Sequence, residues 1–202
     1  MSLYLAMDVG GTSIKYGVID DAGNVSNQGK IVTPDSLDKM YVEMEKIYHD
    51  LNQEVEGLAL SMPGAVDSEV GVIKGSSALD YIHGPNIKED LQARLNLKVT
   101  LENDANCAAL AEVWKGAASD VDDCMFIVSG TGIGGAVVKN RLIHRGKHLH
   151  GGEFGYMVAL NDIENDEYIS WSEAGSTVAV VKAVAKELGV EPETLDGKEI
   201  FD

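Results

Sequence analysis

Short apolar runs alternate with turn-forming residues along the chain, and helical spacing enters only after the third such run. Leu3 to Asp8 is mostly apolar, Gly10-Gly11 punctuates, and Ile14 to Asp20 reads as a second strand. Ala22-Gly23-Asn24 suits a hairpin turn into a third strand near Val25 to Val32. Thr33-Pro34-Asp35-Ser36 is a turn whose Asp and Ser side chains can cap a helix, and Leu37, Met40, Met44, Ile47 and Leu51 then recur at helical spacing. Gly57 to Met62 is a further strand, ended by Pro63-Gly64, and Val66 to Lys74 alternates around Gly71 as a small hairpin. Gly75 to Pro85 reads as a loop, Ile87 to Leu95 as a helix and Val99 to Leu101 as a strand.

Asn103 and Asp104 open a helix that carries Ala108, Ala109, Ala111, Val113 and Trp114 and stops at Gly116. Met125 to Ser129 and Ala136 to Val138 are predicted strands, with Lys139-Asn140-Arg141 as a turn after the second. His144 to Gly155 is polar, rich in Gly and His, and irregular. One helix is predicted over Ser172 to Leu188, with Val178, Val181, Val184, Ala185 and Leu188 on its apolar face, and a linker follows it to Asp202. The fold class is therefore α/β. Element order alone puts a boundary near residues 103 to 120, dividing the chain into an amino-terminal lobe over 1–115 and a second lobe over 116–202.

Composition narrows the classes of function. In 202 residues, 45% hydrophobic and 24% charged, there is enough apolar material for a core and no run long enough to span a bilayer. The net charge of −17 opposes binding to phosphate backbones and anionic lipid, so neither nucleic acid nor membrane is an expected partner. Two cysteines, Cys107 and Cys124, make no disulfide framework, and the amino terminus lacks a secretory pattern. The expectation is a cytoplasmic protein with reduced thiols.

Four constellations carry candidate chemistry. Asp8-Val9-Gly10-Gly11-Thr12-Ser13-Ile14-Lys15 lies between two strands. Its glycines let a turn approach an anion, its amides and hydroxyls can donate to phosphate oxygens, and Asp8 can hold a hydrated magnesium ion. The alternative is a Gly-Gly hairpin turn with a surface Asp. Gly130-Thr131-Gly132-Ile133-Gly134-Gly135 satisfies the dinucleotide fingerprint literally, but a strand rather than a helix is predicted to follow, which argues against that reading. Two glycine turns of one kind, each between strands, suit a duplicated nucleotide clamp.

Leu101-Glu102-Asn103-Asp104-Ala105-Asn106 is an acidic, amide-rich junction of strand and helix. There Asp104 can accept a proton from a substrate hydroxyl while Asn103 orients it, or both can simply cap the helix. Finally, His144, His148 and His150 precede Gly151-Gly152-Glu153-Phe154-Gly155-Tyr156. The histidine spacing matches no standard zinc pattern, so they are read as solvated, whereas Glu153 can grip a polyol through charge-assisted bonds or stand as a surface carboxylate.

In this order the motifs resemble the ROK family of bacterial sugar kinases and repressors, within the actin-like ATPase superfamily. The matching stretches are Asp8 to Asp20, Ser61-Met62-Pro63-Gly64-Ala65-Val66-Asp67, Glu102 to Asn106, Gly130 to Gly135 and Gly151 to Gly155. The resemblance implies a ribonuclease-H-like fold in two lobes, with MgATP and a sugar meeting in the cleft between them. It implies that Asp104 is the base for a hexose hydroxyl, usually the one on carbon 6, and that Asn103, Glu153, Gly64, Ser77 and Tyr156 lie at the sugar. It further implies that Asp8, Gly10, Gly11, Thr12, Lys15, Gly130, Thr131 and Gly132 serve the nucleotide and its Mg2+.

Two departures stand out. Tyr156 replaces a common His, and the family's cysteine cluster is missing between Tyr156 and Trp171, so no structural zinc site is expected. The family also extends beyond the position of Asp202, so the second lobe is expected to be incomplete. The oligomeric state is left open, a homodimer among the options. The competing expectation is a sugar-sensing regulator, without a DNA-binding segment ahead of Asp8.

Overall fold

A computed structural model describes residues 1–75, 77–162, 167–195 and 197–201. The chain forms two compact units, Met1–Cys107 and Ala108–Asp202.

The first unit is built on a five-stranded mixed sheet. Strands β1 (Leu3–Val9), β2 (Ser13–Asp20) and β3 (Val25–Val32) form an antiparallel meander, and β4 (Gly57–Met62) and β7 (Lys98–Asn103) extend it in parallel, giving the order β3-β2-β1-β4-β7. Strict alternation turns Leu5, Met7 and Val9 of β1, Leu58, Leu60 and Met62 of β4, and Val99 and Leu101 of β7 to one buried face. Helices α1 (Leu37–His49) and α2 (Ile87–Leu95) bring Met40, Met44, Ile47, Ile87 and Leu91 into the same core. A small hairpin of β5 (Ala65–Asp67) and β6 (Val72–Lys74) joins β4 to the loop before α2, as its alternation predicts.

Across the two helices, Tyr41 Oη donates to Asp90 at 3.0 Å, Arg94 stacks over the Tyr41 ring, and Arg94 pairs with Glu45 at 2.7 Å. The start of α1 differs from expectation. Ser36 occupies the N-cap without a side-chain bond, and Asp35 accepts from Lys39 Nζ one turn along at 2.7 Å.

Helix α3 (Asp104–Lys115) follows β7 directly. In the second unit, β8 (Cys124–Ser129), β9 (Ile133–Lys139) and β10 (Leu142–Ile143) form an antiparallel sheet whose core holds Ala109, Val113, Ala118, Ala136 and Val138. The Asn140-Arg141 turn has positive φ at both residues, and the Arg141 guanidinium donates to the carbonyls of Val113, Ser119 and Val121.

A second hairpin, β11 (Val158–Asp162) with β12 (Glu167–Ser170), is absent from the sequence reading. Its described side chains are mostly exposed, so it carries no apolar alternation to read. The single helix expected over Ser172 to Leu188 is two: α4 (Trp171–Gly175) and α5 (Thr177–Leu188). Ser176 breaks it, extended at ψ 163°, and its hydroxyl caps α5 by accepting from Ala179 N at 3.1 Å. The supposed linker contains a turn of 3-10 helix at Pro192–Thr194 and a short helix α6 (Gly197–Phe201). No helix among the described residues is long and apolar enough to cross a membrane.

Candidate functional site

Parallel pairing places three polar side chains in one row. Asp8 of β1 lies opposite Ser61 of β4, and Ser61 opposite Glu102 of β7, all on the face away from the core and near the strands' carboxyl ends. That end of a parallel sheet is where open α/β folds bind ligands. Ser61 Oγ donates to Asp8 Oδ1 at 2.7 Å. Glu102 is only 9% exposed, and its Oε1 accepts from Asn103 N and from Asn106 Nδ2, each at 2.9 Å.

The first turn of α3 grows from this row. Asn103 caps the helix, its Oδ1 accepting from Asn106 N at 3.1 Å, while its Nδ2 donates to the Gly64 carbonyl at 3.1 Å. Asp104 is exposed, with Oδ1 accepting from Ala105 N at 2.8 Å. Capping and a ligand-facing role are thus compatible for this pair. Burial pushes the Cys107 thiol up to about 12, aided by the nearby charges of Glu102, Asp104 and Asp8 and opposed by a hydrogen bond with Ser61.

Gly64 turns at φ +97°, a conformation that excludes an ordinary side chain, and a Cβ there would meet Ile73 Cγ2 at 3.0 Å and His83 Cε1 at 3.3 Å. His83 Nε2 lies 2.9 Å from Ser77 Oγ, which also accepts from Leu79 N at 3.3 Å. Asn103 is thereby bonded to the Gly64 turn and His83 to Ser77, in a line that leaves no room for a side chain on Gly64 beside the His83 ring.

The first glycine turn joins β1 to β2. Gly10 N donates to Ser13 O at 3.0 Å, so this amide shapes the turn, while Gly11 and Thr12 stand exposed at its tip. Thr33 ties the turn down, its Oγ1 donating to Gly10 O at 2.6 Å. Lys15 faces Asp8 across the strand pair.

In the second unit the corresponding turn joins β8 to β9. Gly130 N closes on Gly132 O at 2.9 Å, Thr131 and Gly132 are exposed, and Ser172 Oγ accepts from Ile133 N at 2.9 Å. Thr177 N, at the start of α5, donates to Gly130 O at 3.0 Å. A cavity of about 310 Å³ opens beside this turn, lined by Thr131, Ser172, Ser176 and Lys182 among others. The Gly152-Glu153-Phe154-Gly155 segment lies flat on β9: a Cβ on Gly155 would collide with the Ile133 carbonyl, and one on Gly152 would sit 2.7 Å from Ala136 Cα. Glu153 is half-buried between these contacts, and Tyr156 is 76% exposed. His144, His148 and His150 are exposed, and among the described residues no three His, Cys, Asp or Glu side chains are grouped to hold a metal.

The profile of the ROK family matches residues 4–202. The chain belongs to the ROK family. Among curated relatives of this ROK chain, the β-glucoside kinase of Listeria innocua is 41% identical over 154 residues, which are 75% of the chain and 52% of the relative. A ROK family protein from Streptococcus pneumoniae, solved in complex with sucrose, superposes with a TM-score of 0.87 at 38% identity, covering 98% of the chain and 66% of that structure. A ROK family glucokinase from Streptomyces griseus, in complex with glucose and AMPPNP, gives 0.79 at 27% identity, covering 95% and 63%. The fold is that of the actin-like ATPases. The chain spans about half of the first relative's length and about two thirds of the two structures.

Three residues of this ROK chain sit in the row or line described above without having been given a role from the sequence. Ser61 and Glu102 lay inside quoted motifs, and His83 gave no signal beyond residue type. Glu102 could have been found, since a carboxylate placed in phase with the exposed positions of a predicted strand, yet next to a helix start, calls for a partner.

Proposed function

We propose that this chain carries the sugar site and both phosphate turns of an ATP-dependent hexose kinase, with a β-glucoside as the favoured substrate. The observation that supports it most is Asp104: an exposed carboxylate at the carboxyl end of a parallel strand, fixed by its own helix start beside Asn103. The preference for a β-glucoside rests on the Listeria innocua relative, and the pneumococcal ROK family protein was solved in complex with a disaccharide, sucrose.

The residues fit the nucleotide. The exposed tips at Gly11-Thr12 and Thr131-Gly132 present backbone amides and Thr hydroxyls, the donor set that phosphate oxygens require. Space for close approach is present as well, since nothing lies within 4 Å of a Cβ built on Gly130. Asp8, its Oδ1 held by Ser61, suits a magnesium ion that keeps most of its waters and takes one carboxylate. When bound, MgATP supplies the γ-phosphoryl group and a metal ion that neutralises its developing charge.

The protein's own part is then positioning and one proton. Asn103, Gly64 and Ser77 hold the sugar from the first unit, and Glu153 and Tyr156 are the second unit's own candidate sugar contacts. Asp104 takes the proton from the carbon-6 hydroxyl as that oxygen bonds to phosphorus and the bond to the departing ADP oxygen breaks, giving the sugar phosphate and ADP. Gly10 contributes by shaping its turn, and Lys15 by facing Asp8. A coupled ADP-release assay over glucose, cellobiose and related sugars tests the proposal. Asp104→Asn should lower turnover by roughly 10²–10⁴-fold, and unchanged turnover would refute the assignment.

A further inference from the structure

His83 stands outside every motif that points to the sugar site, and its environment is unusual. Its backbone is fixed: His83 N donates to Asp80 O at 3.4 Å, and the residue bridges to Ile73 of β6. A Cβ built on Gly64 would stand 3.3 Å from the His83 ring carbon Cε1. Nε2 contacts Ser77 Oγ, yet Nδ1 is buried and has no hydrogen-bond partner among the described residues. Buried polar atoms are rarely left so, and each needs a reason.

The tautomer supplies one. An orphaned lone pair costs less than an orphaned N–H, so the proton belongs on Nε2, which then donates to Ser77 Oγ. Ser77 Oγ already accepts from Leu79 N. A hydroxyl has two acceptor sites and one proton. With both sites filled by Leu79 and His83, the only hydrogen bond left to Ser77 is the one its own proton can donate.

We propose that His83 is a positioning residue that fixes Ser77 as an obligate hydrogen-bond donor to a substrate oxygen. The inference rests on the reading of Ser77 as a sugar contact. It makes the site selective for an acceptor at that point, which an acetal or ring oxygen satisfies as well as a hydroxyl does.

Two measurements test this. In the unsubstituted chain labelled with 15N-histidine, the ring spectrum should show His83 as the Nε2–H tautomer, with its resonances shifted in Ser77→Ala; the Nδ1–H tautomer would overturn the proposal. By calorimetry with glucose and cellobiose, His83→Leu should weaken binding roughly tenfold, the loss of about one hydrogen bond. His83→Gln, which returns an N–H near the Nε2 position, should recover most of that loss, and Ser77→Ala with His83→Leu together should bind no more weakly than Ser77→Ala alone. Wild-type affinity in His83→Leu, no recovery in His83→Gln, or additive losses would each overturn it. Failure of the unsubstituted chain to bind either sugar would instead overturn the functional reading of the site, an outcome distinct from equal binding by wild type and His83→Leu.

Discussion

Glu102→Ala is expected to destabilise the first unit more than any single exposed substitution, through a mechanism readable atom by atom. The carboxylate accepts two hydrogen bonds at 2.9 Å, from Asn103 N and from Asn106 Nδ2, and Asn106 is itself only 7% exposed. Bonds to a charged acceptor contribute about 1.5–3 kcal/mol each, and removing the acceptor strands a buried amide donor besides. Against this, loss of one negative charge near Asp8 and Asp104 relieves repulsion of about 0.5–1 kcal/mol at these partly screened separations. The net cost is about 2–5 kcal/mol, or a fall of about 1.5–3.5 M in urea midpoint for a slope near 1.5 kcal/mol/M. Both tryptophans, Trp114 and Trp171, belong to the second unit, while five of the seven tyrosines (Tyr4, Tyr16, Tyr41, Tyr48 and Tyr81) belong to the first. Tyrosine fluorescence and far-ultraviolet dichroism should therefore shift more than tryptophan fluorescence. Glu102→Gln, which keeps one acceptor oxygen, should cost about half as much. A loss below about 1 kcal/mol in Glu102→Ala would refute the view that this buried carboxylate holds the helix start.

Gly155→Ala should cost about 2–4 kcal/mol or abolish folding of the second unit, since its Cβ would be driven into the Ile133 carbonyl; thermal melting followed by tryptophan fluorescence reads this, and a shift under 1 kcal/mol would show that the Glu153 segment does not lie on β9 as described. Cys107, half-buried and pushed up to about 12 from an ordinary 9.0, should alkylate at pH 8 roughly 10³-fold more slowly than a free thiol, as judged by mass spectrometry of the labelled peptides. Because the folded state favours the neutral thiol, its stabilising effect is fully present below pH 9 and is lost as pH rises from there towards about 12. Cys107→Ala should flatten that alkaline decline in denaturation midpoints, and an identical decline would refute the link.

Much of the fold was legible because the strands of the first sheet alternate cleanly and α2 is capped at both ends. The reading of Ile87 to Leu95 as a helix agrees with α2, where Asn86 accepts from Glu89 N and Asn96 takes the left-handed conformation. The break at Ser176 was missed because Val178, Val181, Val184 and Ala185 keep helical phase to the end of α5, while the stop and restart lie in two residues, Gly175 and Ser176. The start of α4 was legible but unread, since Ser170-x-x-Glu173 is a capping box in which both reciprocal bonds form. At the site, the motifs placed Asp8, Asn103 and Asp104 in the chain but not the register that sets Asp8, Ser61 and Glu102 in a row. That row depends on pairing strands more than 40 residues apart in sequence, β1 with β4 and β4 with β7. The Ser77–His83 pair was equally hidden, because neither loop length nor residue type specifies which way a ring nitrogen turns.

The bond from Thr177 N to Gly130 O has a use beyond holding α5 against the second glycine turn. Thr177 is the first residue of its helix, where an amide has no carbonyl four residues back to receive it. Its protection from solvent exchange therefore depends on the turn and not on the helix. The rate at which this one amide trades its hydrogen for deuterium is a gauge of how often the Gly130 turn opens, recorded from a helix that can be followed with no ligand or label at the turn itself.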